Sequence, residues 1–302
     1  MNKIENLSEF ANKRYGQNFL KNDAIIKRII QSIPNDNLKV AEIGPGLGDL
    51  TKELIVARNV TAFEVDKRLC EHLQTVFSDA IHTGTLNIQC GDVLKSWEDN
   101  LLLDENYHLV ANLPYYIATN IILKALKDEH CQSILVMVQK EVAEKFSAQS
   151  GEKAFSGLSV LTQTVGFGEL LFDVGAENFV PPPKVTSSIL LIVKNRSENN
   201  QGFENFLKVA FKQPRKKLSK NLTAHYDKDK IETLLKRLEM NLTIRPHEAE
   251  TSIYHHLYNE LNKDNIDGRK QTTNQTTNQT TNQTSSRKKS KSRERNEQQS
   301  SK

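Results

Sequence analysis

The sequence predicts a doubly wound α/β sheet, mostly parallel with an antiparallel last strand, then a small all-helical domain and a disordered tail. Three observations predict it. Between Leu38 and Val193, short apolar runs alternate with stretches of helical spacing, as in a sheet covered on both faces. From Phe203 to Leu261 helical spacing continues with no strand-like run between. After Asn262 the periodicity gives way to three TTNQ repeats and a basic, serine-rich stretch, a composition that cannot bury enough apolar surface to offset chain entropy.

Strands are expected at Leu38–Ile43, Val60–Val65, Leu86–Cys90, His108–Ala111, Ser133–Val138, Leu170–Val174 and Ser188–Val193. Helices are expected between most of them, for example at Lys67–Phe77 and Ala118–Leu126. A proline-rich loop joins the last two strands in place of a helix, so that end of the sheet is expected to turn antiparallel. After a linker at Glu198–Gly202, helices are expected at Phe203–Phe211, Asp229–Leu238 and Glu248–Leu261. The domains are therefore 1–197 for the sheet, 198–262 for the helical unit and 263–302 for the tail.

Composition narrows the function. The chain of 302 residues has no run approaching the ~18 apolar residues of a membrane span. Its first residues are polar and lack the apolar core of a secretory signal, which points to the cytoplasm. Cys70, Cys90 and Cys131 are far apart in sequence with no CxxC pair, so buried reduced thiols are expected and no metal site. The net charge of +4 is concentrated at the end, where residues 263–302 carry ten Lys or Arg against four Asp or Glu. The folded body is left slightly acidic, so nucleic acid would have to meet a local basic patch.

Two strand ends carry the chemistry. The first is Gly44-Pro45-Gly46-Leu47-Gly48, where glycines let the backbone pass close to a ligand. Glu64 ends the next strand, 20 positions after Gly44, where a carboxylate can accept hydrogen bonds from ribose hydroxyls. Asp92 follows the third strand and can accept from an adenine amine. The loop lacks the G-x-G-x-x-G of a dinucleotide site. Acids around it suit S-adenosyl-L-methionine, which carries no phosphate.

The second is Asn112-Leu113-Pro114-Tyr115. A purine's exocyclic amine is a poor nucleophile because its lone pair is delocalised into the ring. The Asn112 side-chain carbonyl and the Leu113 backbone carbonyl can accept both of its N–H bonds and stabilise the charge that develops on nitrogen. Pro114 holds the turn and restricts Leu113. Tyr115 and Phe179 are expected to sandwich the base.

With these residues in place, the chain resembles the ribosomal RNA adenine dimethyltransferase family, in particular its KsgA-type members. The resemblance covers roughly residues 10 to 261. It is carried by Arg14-Tyr15-Gly16-Gln17-Asn18-Phe19-Leu20, the glycine loop, Asn112–Tyr115, Gln139-Lys140-Glu141-Val142, Phe179–Val185 and Ala210-Phe211-Lys212-Gln213 with Arg215-Lys216. It implies a Rossmann-like class I methyltransferase sheet. It implies a donor site of Asn18, Leu20, Gly44, Glu64, Asp92 and Asn112. It implies that two adjacent adenosines near the 3′ end of 16S rRNA, in the immature small (30S) subunit, are dimethylated on N6 late in ribosome assembly. Loss of such activity is associated in the family with kasugamycin resistance. RNA contacts are expected at Lys13, Arg14, Lys184, Lys212, Arg215, Lys216, Lys217 and Lys220. Family members usually place two arginines before the lysine, and here Pro214 replaces the first.

Other readings are a large-subunit rRNA dimethyltransferase giving macrolide resistance, a DNA adenine methyltransferase, and a non-enzymatic factor that only binds pre-ribosomes. The triple proline at 181–183 and an expected Gln-x-Arg-Lys helix at Gln213–Lys216 favour the small-subunit enzyme. No insert large enough to read DNA is present, and intact Asn112 and Glu64 argue against a factor that only binds.

Overall fold

A computed structural model describes residues 11–97 and 101–263. Its strands are β1 (Phe19–Leu20), β2 (Lys39–Ile43), β3 (Val60–Glu64), β4 (Leu86–Cys90), β5 (Tyr107–Asn112), β6 (Cys131–Gln139), β7 (Gly166–Val174), β8 (Phe179–Val180) and β9 (Ser187–Lys194). Seven form one sheet in the order β4-β3-β2-β5-β6-β9-β7. From β4 to β6 all neighbours are parallel, whereas β9 runs antiparallel to both β6 and β7. The last strand thus reverses direction, as its proline-rich approach predicts.

Burial on both faces explains the apolar runs. Leu109, Ala111, Ile134, Val136 and Val138 pack into one core. Their alternates Val110, Leu135 and Met137 pack into another. Successive side chains of a strand point to opposite faces, so both layers need apolar residues. Helices Lys67–Val76 and Tyr115–Lys127 lie where the spacing predicts.

Three expectations need correction or refinement. First, β7 begins at Gly166, four residues before the expected Leu170. Gly166-Phe167-Gly168 reads as a loop, yet a Cβ at Gly166 would meet the Val193 carbonyl at 2.0 Å. Glycine stands there because two backbones nearly touch. Second, Cys70 and Cys90 are not separate buried thiols. They form a disulfide with Cα atoms 6.0 Å apart, and Cys90 is exposed. Glu64 pairs with Cys90 across β3 and β4, and the helix carrying Cys70 follows Glu64 directly. Parallel register therefore closes a gap of 20 positions. Cys131 is free and buried, as expected. Third, helix Gln201–Ala210 begins inside the expected linker.

The C-terminal helices Gln201–Ala210, Leu218–Leu222, Lys228–Arg237 and 251–263 surround a third core. That core also takes in Ala148, Phe155 and Val160, so the helical unit packs directly on the sheet domain. The basic tail lies outside the described residues, apart from Lys263 at the end of the last helix.

Candidate active site

The parallel strands β2 to β5 all end at one edge of the sheet, and a cavity of about 540 Å³ opens above it, a size typical of small-molecule sites. Loops there are where ligands bind in α/β sheets. Of the expected site residues, Asn18, Leu20, Gly44, Glu64, Asp92, Asn112, Leu113, Pro114 and Tyr115 line this one cavity.

The glycine loop leaves β2 with Gly44, Gly46 and Gly48 at φ of +70°, +61° and +87°, a region that side chains other than glycine rarely adopt. A Cβ at Gly46 would meet the Phe19 ring at 3.2 Å, so the loop lies flat beneath the N-terminal segment. Glu64 reaches back to this loop. Its Oε2 accepts from the Gly46 amide at 3.2 Å and its Oε1 from the Asp66 amide at 2.9 Å. Burial raises the Glu64 pKa, and those amides partly counter it. Asp92 is exposed, and its Oδ1 caps the next helix by accepting from the Leu94 amide at 3.0 Å, leaving Oδ2 for a ligand.

Beneath the loop sits Glu42, 1 % exposed, which accepts from the Thr51 hydroxyl at 2.7 Å. Burial pushes its pKa up to about 8, with a smaller push from Glu64 and opposition from the Thr51 hydrogen bond. The folded chain then holds a proton on Glu42 that the unfolded chain loses above its ordinary value of 4.5. Stability from this group is highest below pH 4.5 and declines as pH rises toward 8. Thermal melts should show wild type losing stability from pH 5 to 8.5, and Glu42→Gln flattening that slope, a difference on the order of 4 kcal/mol. Parallel pH profiles for the two proteins would disprove this origin.

Asn112 ends β5 beside the loop. Its Nδ2 donates to the Asn18 main-chain carbonyl at 3.0 Å, which orients the amide and leaves Oδ1 as the acceptor. The Leu113 amide donates to Met137 of β6, and Pro114 opens the helix of Tyr115 at φ −58°. The Tyr115 hydroxyl lies 2.8 Å from the buried Ser187 hydroxyl, which holds the half-buried ring.

The N-terminal segment is held over the cavity from two sides. β1 pairs with β8, Phe19 opposite Val180 and Leu20 opposite Phe179, and the Gln17 side chain donates to Asp66 at 3.2 Å. This pairing corrects one expectation. Phe179 is 3 % exposed, packs with Leu20 and Ile26 in the core, and is not part of the cavity wall. In this structure its ring packs beneath the N-terminal segment.

Three contributors escaped the sequence reading. Val65 lines the cavity with 40 % of its surface exposed, an apolar face beside Glu64 that its place at the strand end could have signalled. Gln17 stood inside a motif without a role. Ser187 meets Tyr115 from 72 positions away, with no local signal.

Arg14 is exposed at the cavity rim. Lys212, Arg215, Lys216, Lys217 and Lys220 are all exposed along one segment of the helical unit, whose turn is tied by Asn221 to Gln213. Lys184 is exposed in the loop before β9, on a different element. Among the described residues no cluster of metal-ligating side chains occurs, and no helix is long and apolar enough to cross a membrane.

The family model for ribosomal RNA adenine dimethylase matches residues 9–263. The chain is 50 % identical over 263 residues to the ribosomal RNA small subunit methyltransferase A of Sulfurimonas denitrificans, spanning 87 % of this chain and 97 % of that protein. It is 52 % identical over 254 residues to the protein of the same name from Aliarcobacter butzleri, spanning 83 % and 96 %. In fold it is similar to a dimethyladenosine transferase from Plasmodium falciparum, with a TM-score of 0.69 at 24 % identity over 81 % of this chain and 98 % of that one. A glycine loop, two strand-end carboxylates and a clamped Asn112 within a match of that extent lead to one conclusion: the chain belongs to the ribosomal RNA adenine dimethylase family.

Proposed function

We propose that this protein uses S-adenosyl-L-methionine to dimethylate N6 of two adjacent adenosines near the 3′ end of 16S rRNA. Its substrate is the immature small subunit, met in the cytoplasm late in assembly. The observation that carries this reading is the orientation of Asn112: its NH2 is engaged by the Asn18 carbonyl, so its own carbonyl oxygen is the group left for an incoming amine. The names of the relatives at 50 % and 52 % identity favour the small subunit over the large.

The residues fit the methyl donor. The flat glycine loop would hold its amino-acid portion, Glu64 its ribose, Asp92 its adenine amine and Val65 the adenine face. Glu64 and Asp92 beside the loop suit a sulfonium better than a pyrophosphate. Bound there, S-adenosylmethionine supplies an electrophilic methyl group. The chain does the rest. Asn112 and the Leu113 carbonyl draw the two N–H bonds of the base toward them, free the nitrogen lone pair from the ring and stabilise the positive charge that follows. Tyr115 offers the stacking face, held by Ser187. The methylated nitrogen is a strong acid until it loses its proton, so release to water suffices and no general base is needed.

Mass spectrometry of 16S rRNA from cells lacking the protein tests this reading. Two neighbouring N6-dimethyladenosines should disappear and return on complementation. Their persistence would refute it.

A further inference from the structure

Tyr116 directly follows Tyr115 in the same first helical turn, yet 62 % of its surface is exposed. It stands at the mouth of the cavity with Arg14, Tyr15 and Gly16. Its ring lies beside Gly16: a Cβ there would lie 3.5 Å from Tyr116 Cδ1, and Gly16 has φ of +60°. Glycine at position 16 puts no side chain against the ring, most of which is left to solvent. The Arg14 guanidinium lies 5.8 Å from the centre of the Tyr15 ring; burial raises the pKa of the Tyr116 phenol, with smaller pushes from Asp92 and Tyr15 and opposition from Arg14.

Exposed aromatic rings interleaved with a cation make a platform for single-stranded nucleic acid. A base turned into the cavity must leave its neighbour in the strand. That neighbour's π face then lies unpartnered at the cavity mouth, one residue's width from Tyr115. The geometry points to Tyr116 as a ledge that stacks the nucleobase adjacent to the one held in the cavity, with Arg14 beside it for the connecting phosphate. The alternative occupant is the donor's adenine, but Val65 already supplies an apolar face there, inside the cavity beside Glu64. This assignment rests on the reading of the cavity as the base pocket of an RNA methyltransferase.

The test compares wild type, Tyr116→Ala and Tyr116→Phe in steady-state methylation of undermethylated small ribosomal subunits, with a calorimetric titration of S-adenosylhomocysteine on each. Tyr116→Ala should raise the KM for subunits about tenfold, the loss of one base–aromatic stack. Its kcat at saturating subunits and its affinity for S-adenosylhomocysteine should stay at wild-type values, and Tyr116→Phe should restore KM. An unchanged KM in Tyr116→Ala overturns the ledge. So does weakened S-adenosylhomocysteine binding, which would place the ring over the donor. A wild-type protein that methylates no subunits overturns the reading of the cavity itself, and that failure appears before any substitution is made. Equal melting temperatures of the three proteins exclude a folding effect.

Discussion

Asn112→Ala lowers the rate of methyl transfer by about 10²–10³-fold, the range for removing one preorganised polar partner of a developing charge. The loss belongs to kcat. The acceptor bond strengthens as the amine nitrogen becomes positive, so it favours the transition state over the bound base. Asn112 is half-buried at the end of β5, and its Nδ2 is fixed by Asn18, so the carbonyl is aimed before substrate arrives. RNA affinity should change by no more than about twofold, because it rests mainly on phosphate contacts, and Asn112 makes none of them. Single-turnover transfer to undermethylated subunits, beside filter binding of the same subunits, separates the two quantities. Undiminished transfer would remove Asn112 from the reaction.

Glu64→Gln weakens donor binding by about 100-fold, the worth of a pair of charge-assisted hydrogen bonds. Two losses combine. The amide has one acceptor oxygen where the carboxylate has two, so it cannot serve both the Gly46 and the Asp66 amides that Glu64 now satisfies. The glycine loop then loses an anchor at Gly46. A ribose also loses a charged acceptor. Calorimetry with S-adenosylhomocysteine measures the effect directly. A dissociation constant within a few-fold of wild type would show that Glu64 serves only the backbone.

How much of this was legible varies with the range of the interaction. The strands β2, β3, β5, β6 and β9 were readable because burial on both faces forces largely apolar runs such as Ser133–Val138, and the edge strand β4 was readable from the alternation of Leu86 and Ile88 with polar residues. The first half of β7 was not, because Gly166 and Gly168 answer to the backbones of Val193 and Phe146 and so look like a loop. Asn112 was readable as an acceptor, but the Asn18 carbonyl that orients it lies 94 positions away. The ring of Phe179 suggests a stacking face, yet pairing with β1 places it in the core. The Cys70–Cys90 pair was missed for the same reason as Ser187: register across strands is invisible in a single line of residues.

By itself the sequence determined the layered sheet, the glycine loop, the strand-end acids and the Asn112–Tyr115 turn. Each follows from local physics: side-chain period, backbone freedom and the chemistry of adjacent groups. Only the tertiary structure decided which groups are free to act. It occupied one end of Asn112, held Tyr115 with Ser187, withdrew Phe179 and left Tyr116 at the cavity mouth, because hydrogen-bond partners and burial are set by residues that the chain brings together from far apart.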